Sequence, residues 1–344
     1  MRIGICLHYQ RTEVTYAALR VADWLVQNGH TVSLLSVGCN GVKIGSKWDS
    51  SVLYSESVYF SLWANGYDLL LFTFLPGMDR LEFMAERKKL TSLLADITTL
   101  EVVDCGELRE FNCILCPSRF VYKQLAAKQL HNMANVPLSV ADVVYRKPST
   151  AEKTISIFYP VWDRVGTRTE CTAVEVLRRL LQRQRTIRVV VGITSSTLGR
   201  TGWLRLKALQ LEYADRVTIL KGIPADRRLE LFMQHDFVYW PSCFESIGMV
   251  GLQALAAGTP LIAFNVPVVN EIVTEANGIV ARCNSFRNFG IGAVVGDPDY
   301  VMLDNLLQLN VCNRGLINRL QCQTYEAAVV RRNEFHRNMS ILFE

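Results

Sequence analysis

The sequence predicts an α/β protein made of two doubly wound, Rossmann-like domains facing a cleft. Three observations carry this. The chain has 344 residues, more than one ordinary core accommodates. Short apolar runs alternate with helical patterns along its length, and strand–helix–strand units of this kind build parallel sheets covered by helices on both faces. A polar, proline-broken stretch, Arg146-Lys147-Pro148-Ser149-Thr150-Ala151-Glu152-Lys153, divides the series in two and reads as a hinge. The expected domains are therefore 1–150 and 151–325, followed by a helix within 326–344 that crosses back onto the first domain.

In the first half, Arg2 to Leu7 is a strand. Helical spacing of Ala17, Leu19, Val21, Ala22, Leu25 and Val26 predicts a helix over 15–27, stopped at Asn28-Gly29-His30 because glycine supplies a left-handed cap. Thr31 to Val37 is the next strand. Asp68 to Leu75 is continuously apolar, as a strand buried on both faces should be. A helix is expected over 84–94, strands over 100–103 and 112–115, a helix over 120–130 and a last strand over 140–145. The second half repeats the rhythm. Strands are expected over 154–159, 187–193, 217–220, 237–240 and 261–264. Helices are expected over 172–182, 203–213, 227–235, about 246–257 and about 326–342. Doubly wound sheets bind ligands at the carboxyl ends of their strands, which places the expected site in the interdomain cleft.

Composition narrows the classes. Half the residues are hydrophobic and a fifth are charged, so the chain is globular with a large core. No window approaches a membrane-spanning length, so no transmembrane segment is expected. The opening Met-Arg-Ile-Gly-Ile-Cys reads as a strand rather than a signal peptide, which makes the expected location cytoplasmic. Several of the ten cysteines lie in or beside apolar runs (Cys6, Cys105, Cys113, Cys116) and read as buried thiols of a reducing compartment. Cys113-Ile114-Leu115-Cys116 has half-site spacing but no second pair or suitably spaced histidine, so no metal is expected there. A net charge of +5 suits an anionic ligand without announcing nucleic acid.

The segment Phe244-Glu245-Ser246-Ile247-Gly248-Met249-Val250-Gly251-Leu252-Gln253-Ala254-Leu255-Ala256-Ala257-Gly258-Thr259-Pro260 is dressed for the core except at Glu245 and Gln253. It should leave the strand over 237–240, turn, and open a helix near Ser246 or Ile247. The first turn of a helix carries unpaired N–H groups and about half a positive charge. Gly248 there lets phosphates approach the backbone. Glu245 at the rim and Gln253 in the body are placed to hold hydroxyl groups. The plainer reading is that Glu245 is an acid favourable to the helix start and Gln253 an ordinary helical residue.

The run from Pro241 to Ala263 resembles the donor-site motif of retaining GT-B glycosyltransferases of family 4. That motif has an acid, a glycine three on, a second acid eight on, small residues and Gly-x-Pro. Arg216 to Pro224, Asn270-Glu271-Ile272-Val273 and Asn277-Gly278-Ile279-Val280 are similar to the same family. The likeness is specific over about 154–282; before 150 it is architectural. The resemblance implies that Glu245 lies by the donor sugar, that Ser246, Ile247, Gly248 and Met249 hold the diphosphate, and that Gln253 meets the ribose hydroxyls. Gln253 stands where the family has a second glutamate. An amide accepts from one hydroxyl and donates to another. Lys221 and Gly222 fall in the donor-binding part, and Arg164 and Arg168 in the place of two cations that clamp the diphosphate. The first domain departs from the pattern. His8-Tyr9-Gln10-Arg11-Thr12 stands where a glycine pair is common, and Asp104-Cys105-Gly106-Glu107 where a histidine is common.

The resemblance further implies transfer of a sugar from a UDP-, GDP- or ADP-sugar to an acceptor hydroxyl with retention, needing no cofactor and no metal. Asp297-Pro298-Asp299 spells the Asp-x-Asp of metal-dependent glycosyltransferases but reads as a turn after Gly296. The expected acceptor is a glycan or glycolipid. The basic amphipathic stretch 173–185 suits either peripheral contact with an anionic membrane or a solvated outer face. A second reading is a phage-type DNA glycosyltransferase acting on hydroxymethylated bases of duplex DNA; Arg11, Arg80, Arg87, Lys88, Lys89, Lys123 and Lys128 would track phosphates. A third is a nucleotide-sugar-binding protein without catalysis, motivated by Gln253.

Overall fold

The computed structural model describes residues 1–8, 12–37, 52–55, 65–76, 78–86, 88–95, 105–139, 143, 154–161, 167–193, 200–224, 227–288 and 294–343. The chain forms two compact units. One comprises Met1–Val140 with Arg331–Glu344; the other comprises Ala141–Asn288 with Val294–Val330. The expected hinge 146–153 and, apart from Val143, the expected strands 100–103 and 140–145 lie outside the described residues.

The first unit is a parallel sheet of seven strands. These are β1 (Arg2–His8), β2 (Thr31–Val37), β3 (Val52–Ser55), β4 (Leu69–Phe72), β5 (Leu90–Leu94), β6 (Cys113–Cys116) and β7 (Met133–Asn135), in the order β3-β2-β1-β4-β5-β6-β7. Helix α1 (Thr12–Gln27) packs Ala17, Ala18, Val21, Ala22 and Leu25 into the core. It ends as its sequence requires: Gly29 is left-handed (φ 84°), and the His30 N–H reaches back to the Leu25 carbonyl at 3.0 Å.

Two helices end earlier than their periodicity suggests, for one reason. The stretch 84–94, expected as a helix, is instead the end of α2 (Met78–Glu86) and the strand β5. Lys88 adopts φ 53°, and the Lys89 N–H bonds the Met84 carbonyl at 3.0 Å, so a lysine fills the left-handed cap usually given to glycine. After the short helix α3 (Gly106–Arg109), α4 (Arg119–Ala126) stops near Gln129, which takes φ 58°. Its start is conventional, with the Ser118 hydroxyl accepting from the Val121 N–H at 3.2 Å. The Cys113 and Cys116 thiols sit in β6, and burial pushes their pKa up to about 11 and about 12. Lys89 is also used internally, donating from Nζ to the Tyr67 and Asn65 carbonyls.

The second unit holds a six-stranded parallel sheet. Its strands are β8 (Ile155–Val161), β9 (Ile187–Ile193), β10 (Val217–Lys221), β11 (Phe237–Trp240), β12 (Leu261–Phe264) and β13 (Gly278–Ala281), ordered β10-β9-β8-β11-β12-β13. β11 and β12 are buried at every position, which is why they read as unbroken apolar runs. The helices are α5 (Thr167–Arg183), α6 (Arg200–Glu212), α7 (Arg228–Met233), α8 (Met249–Ala256), α9 (Tyr300–Asn310) and α10 (Arg314–Phe343). A hairpin of β14 (Cys283–Asn288) and β15 (Val294–Pro298) follows β13.

The start of α10 is pinned to the sheet by a buried acid. Asp236 is 3% exposed and accepts from the Ser156 N–H at 2.8 Å, the Ser156 hydroxyl at 3.0 Å and Arg314 at 2.7 Å. Arg314 also donates to the Thr154 carbonyl at 2.6 Å. Removing one partner of a buried pair strands the other in low dielectric. Asp236→Ala is expected to cost about 3 kcal/mol of stability, read as a lowered urea midpoint at unchanged slope; a shift within error of zero would show that the network carries no stability.

Candidate functional site

In a doubly wound sheet the ligand position is set by where the strand order reverses. In the second unit that point lies between β8 and β11. The chain leaves β8 toward α5 and leaves β11 toward α8, so the segment with the two expected cations and the segment with Glu245 follow adjacent strands. Arg168 is the second residue of α5. Arg164 lies outside the described residues. Lys221 closes β10 at the sheet's edge, three strand spacings from β11, or about 14 Å.

The turn from β11 to α8 is built on Trp240 and Gly248. Gly248 is left-handed (φ 81°, ψ 39°) and buried. A Cβ there would meet Ile272 Cδ1 at 2.6 Å, Val268 Cγ1 at 3.3 Å and the Trp240 ring at 3.4 Å. Its glycine is therefore required by backbone sign and close packing. Its side-chain direction is filled by protein rather than left open for a ligand, which corrects the expectation from sequence. Gly251, one turn on, lies against the same Trp240 ring. Val268, fully buried, itself takes φ 70°, a strained conformation for a β-branched residue that persists only where its surroundings impose it.

The left-handed residue also moves the helix start. α8 begins at Met249, not at Ser246 or Ile247, because a right-handed helix cannot run through Gly248. Glu245 and Ser246 lie in the preceding turn and are half-buried, while Ile247 and Met249 are buried. Glu245 thus lies three residues before the N-cap rather than in the first turn. No acid occupies the first turn of α8, and Gly248 at its N-cap brings no side chain to cap it. The contrast is α9, where Asp299 at the N-cap accepts from the Met302 N–H at 2.9 Å. Asp297 and Pro298 close β15, so Asp-x-Asp is a strand end and a helix cap rather than a turn. No cluster that could hold a metal occurs among the described residues.

Gln253 lies four residues into α8, about 6 Å along its axis. Helical side chains lean toward the amino end of their helix. Its Oε1 is buried and meets no hydrogen-bond donor among the described residues. The loop is tied from behind by the Gly296 N–H, which donates to the Cys243 carbonyl at 2.9 Å. Cys283, half-buried with the Cys243 thiol near it, has its pKa pushed up to about 11, mainly by burial. At the sheet edge Lys221 Nζ stands 4.0 Å over the Trp203 ring, which Lys207 approaches at 5.2 Å. Beside it Gly222 is left-handed (φ 64°), and an open pocket of about 260 Å³ is lined by Lys221, Gly222, Pro224, Arg227 and Gln234 among others. The pocket and the orphaned Gln253 oxygen were invisible in the sequence; both depend on what neighbouring segments bring near.

Residues 171–289 match the family model described as glycosyl transferases group 1. The match falls on the segment from α5 to the end of β14. Among curated relatives, D-inositol 3-phosphate glycosyltransferase of Nocardia farcinica (strain IFM 10152) is 34% identical over 130 residues, which is 37% of this chain and 29% of the relative. The corresponding protein of Mycolicibacterium smegmatis (strain ATCC 700084 / mc(2)155) is 28% identical over 157 residues, 42% of this chain and 36% of the relative. The chain thus matches about a third of the length of these relatives. Among solved structures, a glycosyltransferase from Rickettsia africae ESF-5 superposes with TM-score 0.72 at 14% identity, covering 98% of this chain and 96% of its own. Anabaena Alr3699/HepE in complex with UDP-glucose does so with TM-score 0.72 at 13% identity, covering 99% of each. The fold is GT-B. The matched block contains Lys221, Gly222, Glu245, Gly248 and Gln253; Arg164 and Arg168 precede it.

Gly248→Ala combines a disfavoured backbone, about 1–2 kcal/mol, with overpacking of about 1–3 kcal/mol. It is expected to lower the melting temperature, and Ile272→Val, which removes the Cδ1 methyl, should recover the packing part only. Additive losses in the double variant would show that Ile272 is not the neighbour that fills this space.

Proposed function

We propose that the protein is a retaining glycosyltransferase that moves a sugar from a nucleoside diphosphate sugar to an acceptor hydroxyl. The observation that carries this reading is the amino end of α8, opened by a glycine that brings no capping side chain, at the switch point of the sheet in the block that matches the group 1 family model. Such a helix end is an anion site. As the bond to the sugar breaks, the sugar becomes oxocarbenium-like and negative charge grows on the departing diphosphate. The α8 N–H groups, joined by Arg164 and Arg168 from the segment after β8, stabilise that charge where it develops. Glu245 takes the sugar side. In this reading the groups that meet the diphosphate are backbone N–H groups and arginines, and no step passes through a metal.

Gln253 supports the same assignment from the ribose side. A buried carbonyl oxygen without a donor costs about 1–3 kcal/mol. A ribose hydroxyl supplies that donor. The Lys221–Gly222 edge with its adjoining pocket lies about 14 Å from β11, a separation that a donor's extended nucleoside end matches. UDP-glucose is bound by the Anabaena structure of the same fold, which makes a UDP-sugar the first donor to test. The acceptor in this proposal is a glycan or glycolipid, and the reaction takes place in the cytoplasm.

Thermal shift with UDP-, GDP- and ADP-sugars should show stabilisation by one donor class. Glu245→Ala and Arg164→Ala should lose turnover by at least about a hundredfold, and NMR of the product should show retained anomeric configuration. Unchanged turnover in both variants would remove the site assignment, and inverted product would remove the mechanism. Gln253→Leu is expected to act in opposite directions. It should stabilise the ligand-free protein by about 1 kcal/mol, because an orphaned acceptor is gone, and weaken donor binding by roughly fivefold. A variant that loses ligand-free stability instead would show that Gln253 is a packing residue.

A further inference from the structure

Trp203 stands in the first turn of α6, the helix that follows β9, and α6 packs on β10. The first turn of a helix in such a unit lies at the carboxyl edge of the sheet, the edge where ligands bind. Lys221, the last residue of β10, reaches the same place, with its Nζ 4.0 Å from the centre of the Trp203 ring. At that range the negative face of an indole attracts an ammonium group. Lys207, one turn after Trp203, comes within 5.2 Å of the ring, but its Nζ is taken by Gln210 Oε1 at 2.8 Å. Lys221 is thus the cation that the ring orients.

An exposed lysine samples many rotamers, and fixing one costs entropy. The ring meets that cost before any ligand arrives. The surroundings leave the ammonium available. Lys221 is exposed, and among the described residues it meets no carboxylate. The other charged groups of the adjoining pocket satisfy one another: Glu230 is held by Arg227 at 2.9 Å and by Gln234 Nε2 at 3.2 Å. Gly222, the next residue, has no atom within 4 Å of where its Cβ would point, so a flat ring can approach the peptide beside the ammonium.

We infer that Trp203 is a positioning residue that holds the Lys221 ammonium against the base of the donor, and that this base carries carbonyl oxygens, as uracil and guanine do. The inference rests on the proposed donor site. With the diphosphate at α8 and the ribose at Gln253, the part of the donor that reaches β10, three strands from β11, is the far edge of the base. An ammonium group donates hydrogen bonds and accepts none. Guanine offers it two neighbouring acceptors, O6 and N7, and uracil the carbonyl O4. Adenine sets an amino group beside N7, and that donor faces the ammonium without a partner. Trp203 does not touch the donor in this assignment; it acts through Lys221.

UDP, GDP and ADP are titrated into the protein by calorimetry. Wild type is expected to bind UDP or GDP at least about tenfold more tightly than ADP. Lys221→Met, a change at an exposed position, should bring the three nucleotides to near parity. Trp203→Leu should do the same, whereas Trp203→Phe, which keeps an aromatic face for the ammonium, should preserve the preference. In the Lys221→Met background Trp203→Leu should leave the preference where it is, because the ring acts only through the lysine. Melting curves verify that the variants are folded. The inference is overturned if wild type binds ADP as tightly as UDP and GDP, or if Trp203→Leu weakens all three alike, as loss of a packing residue would. It falls alone when nucleotides bind and the preference is indifferent to Trp203. Absence of binding by all three nucleotides would instead remove the donor site itself, and this inference with it.

Discussion

The second unit turns on a packing constraint between Trp240 and Gly248. The β11 strand ends in a large ring, and the chain must reverse over that ring to start α8. Only a residue without a Cβ, in the left-handed region, lets it do so while Ile272 and Val268 close from the other side. The consequences propagate outward. The helix is delayed to Met249, its N-cap brings no side chain, and Glu245 falls in the segment before the helix rather than in its first turn. The amino end of α8, where the donor is proposed to bind, thus owes its form to a steric requirement in the core. Val268 records the other half of that requirement, since a valine with positive φ is held there by the same packing.

Much of this was legible in the residues. Unbroken apolar runs at β11 and β12, with Gly258 and Pro260 between them, locate the strand–helix–strand unit, and Gly258 is indeed left-handed at φ 65°. The same holds for β1, α1 and β2, where Gly29 closes the helix. The losses have a common cause. Left-handed backbone at Lys88 and Gln129 ends helices where no glycine announces it, so apolar spacing alone overruns α2 and α4 and takes β5 for helix. β3 and β7, four and three residues long, sit at sheet edges and carry too few positions to show a period.

The site was legible in part. Residue types at 245, 248 and 253 are the basis of the proposed donor site, and the strand order places β8 and β11 side by side. The reason for Gly248 was not readable, because it depends on Ile272, twenty-four positions away in the chain. Nor was the role of Asp299. In sequence it completes an Asp-x-Asp; in the fold its carboxylate is taken by the Met302 N–H and lies 3.6 Å from Arg282.

The tether behind the loop has a mechanical meaning. The Gly296 N–H holds the Cys243 carbonyl, so the segment bearing Glu245 is fastened to the β14–β15 hairpin as well as to the sheet. Gly296 leaves no slack, since a Cβ on it would fall 2.5 Å from Cys283 Sγ and 2.7 Å from Val266 Cγ1. Bulk added at Gly296 therefore bears directly on the bond that holds Cys243, two residues before Glu245.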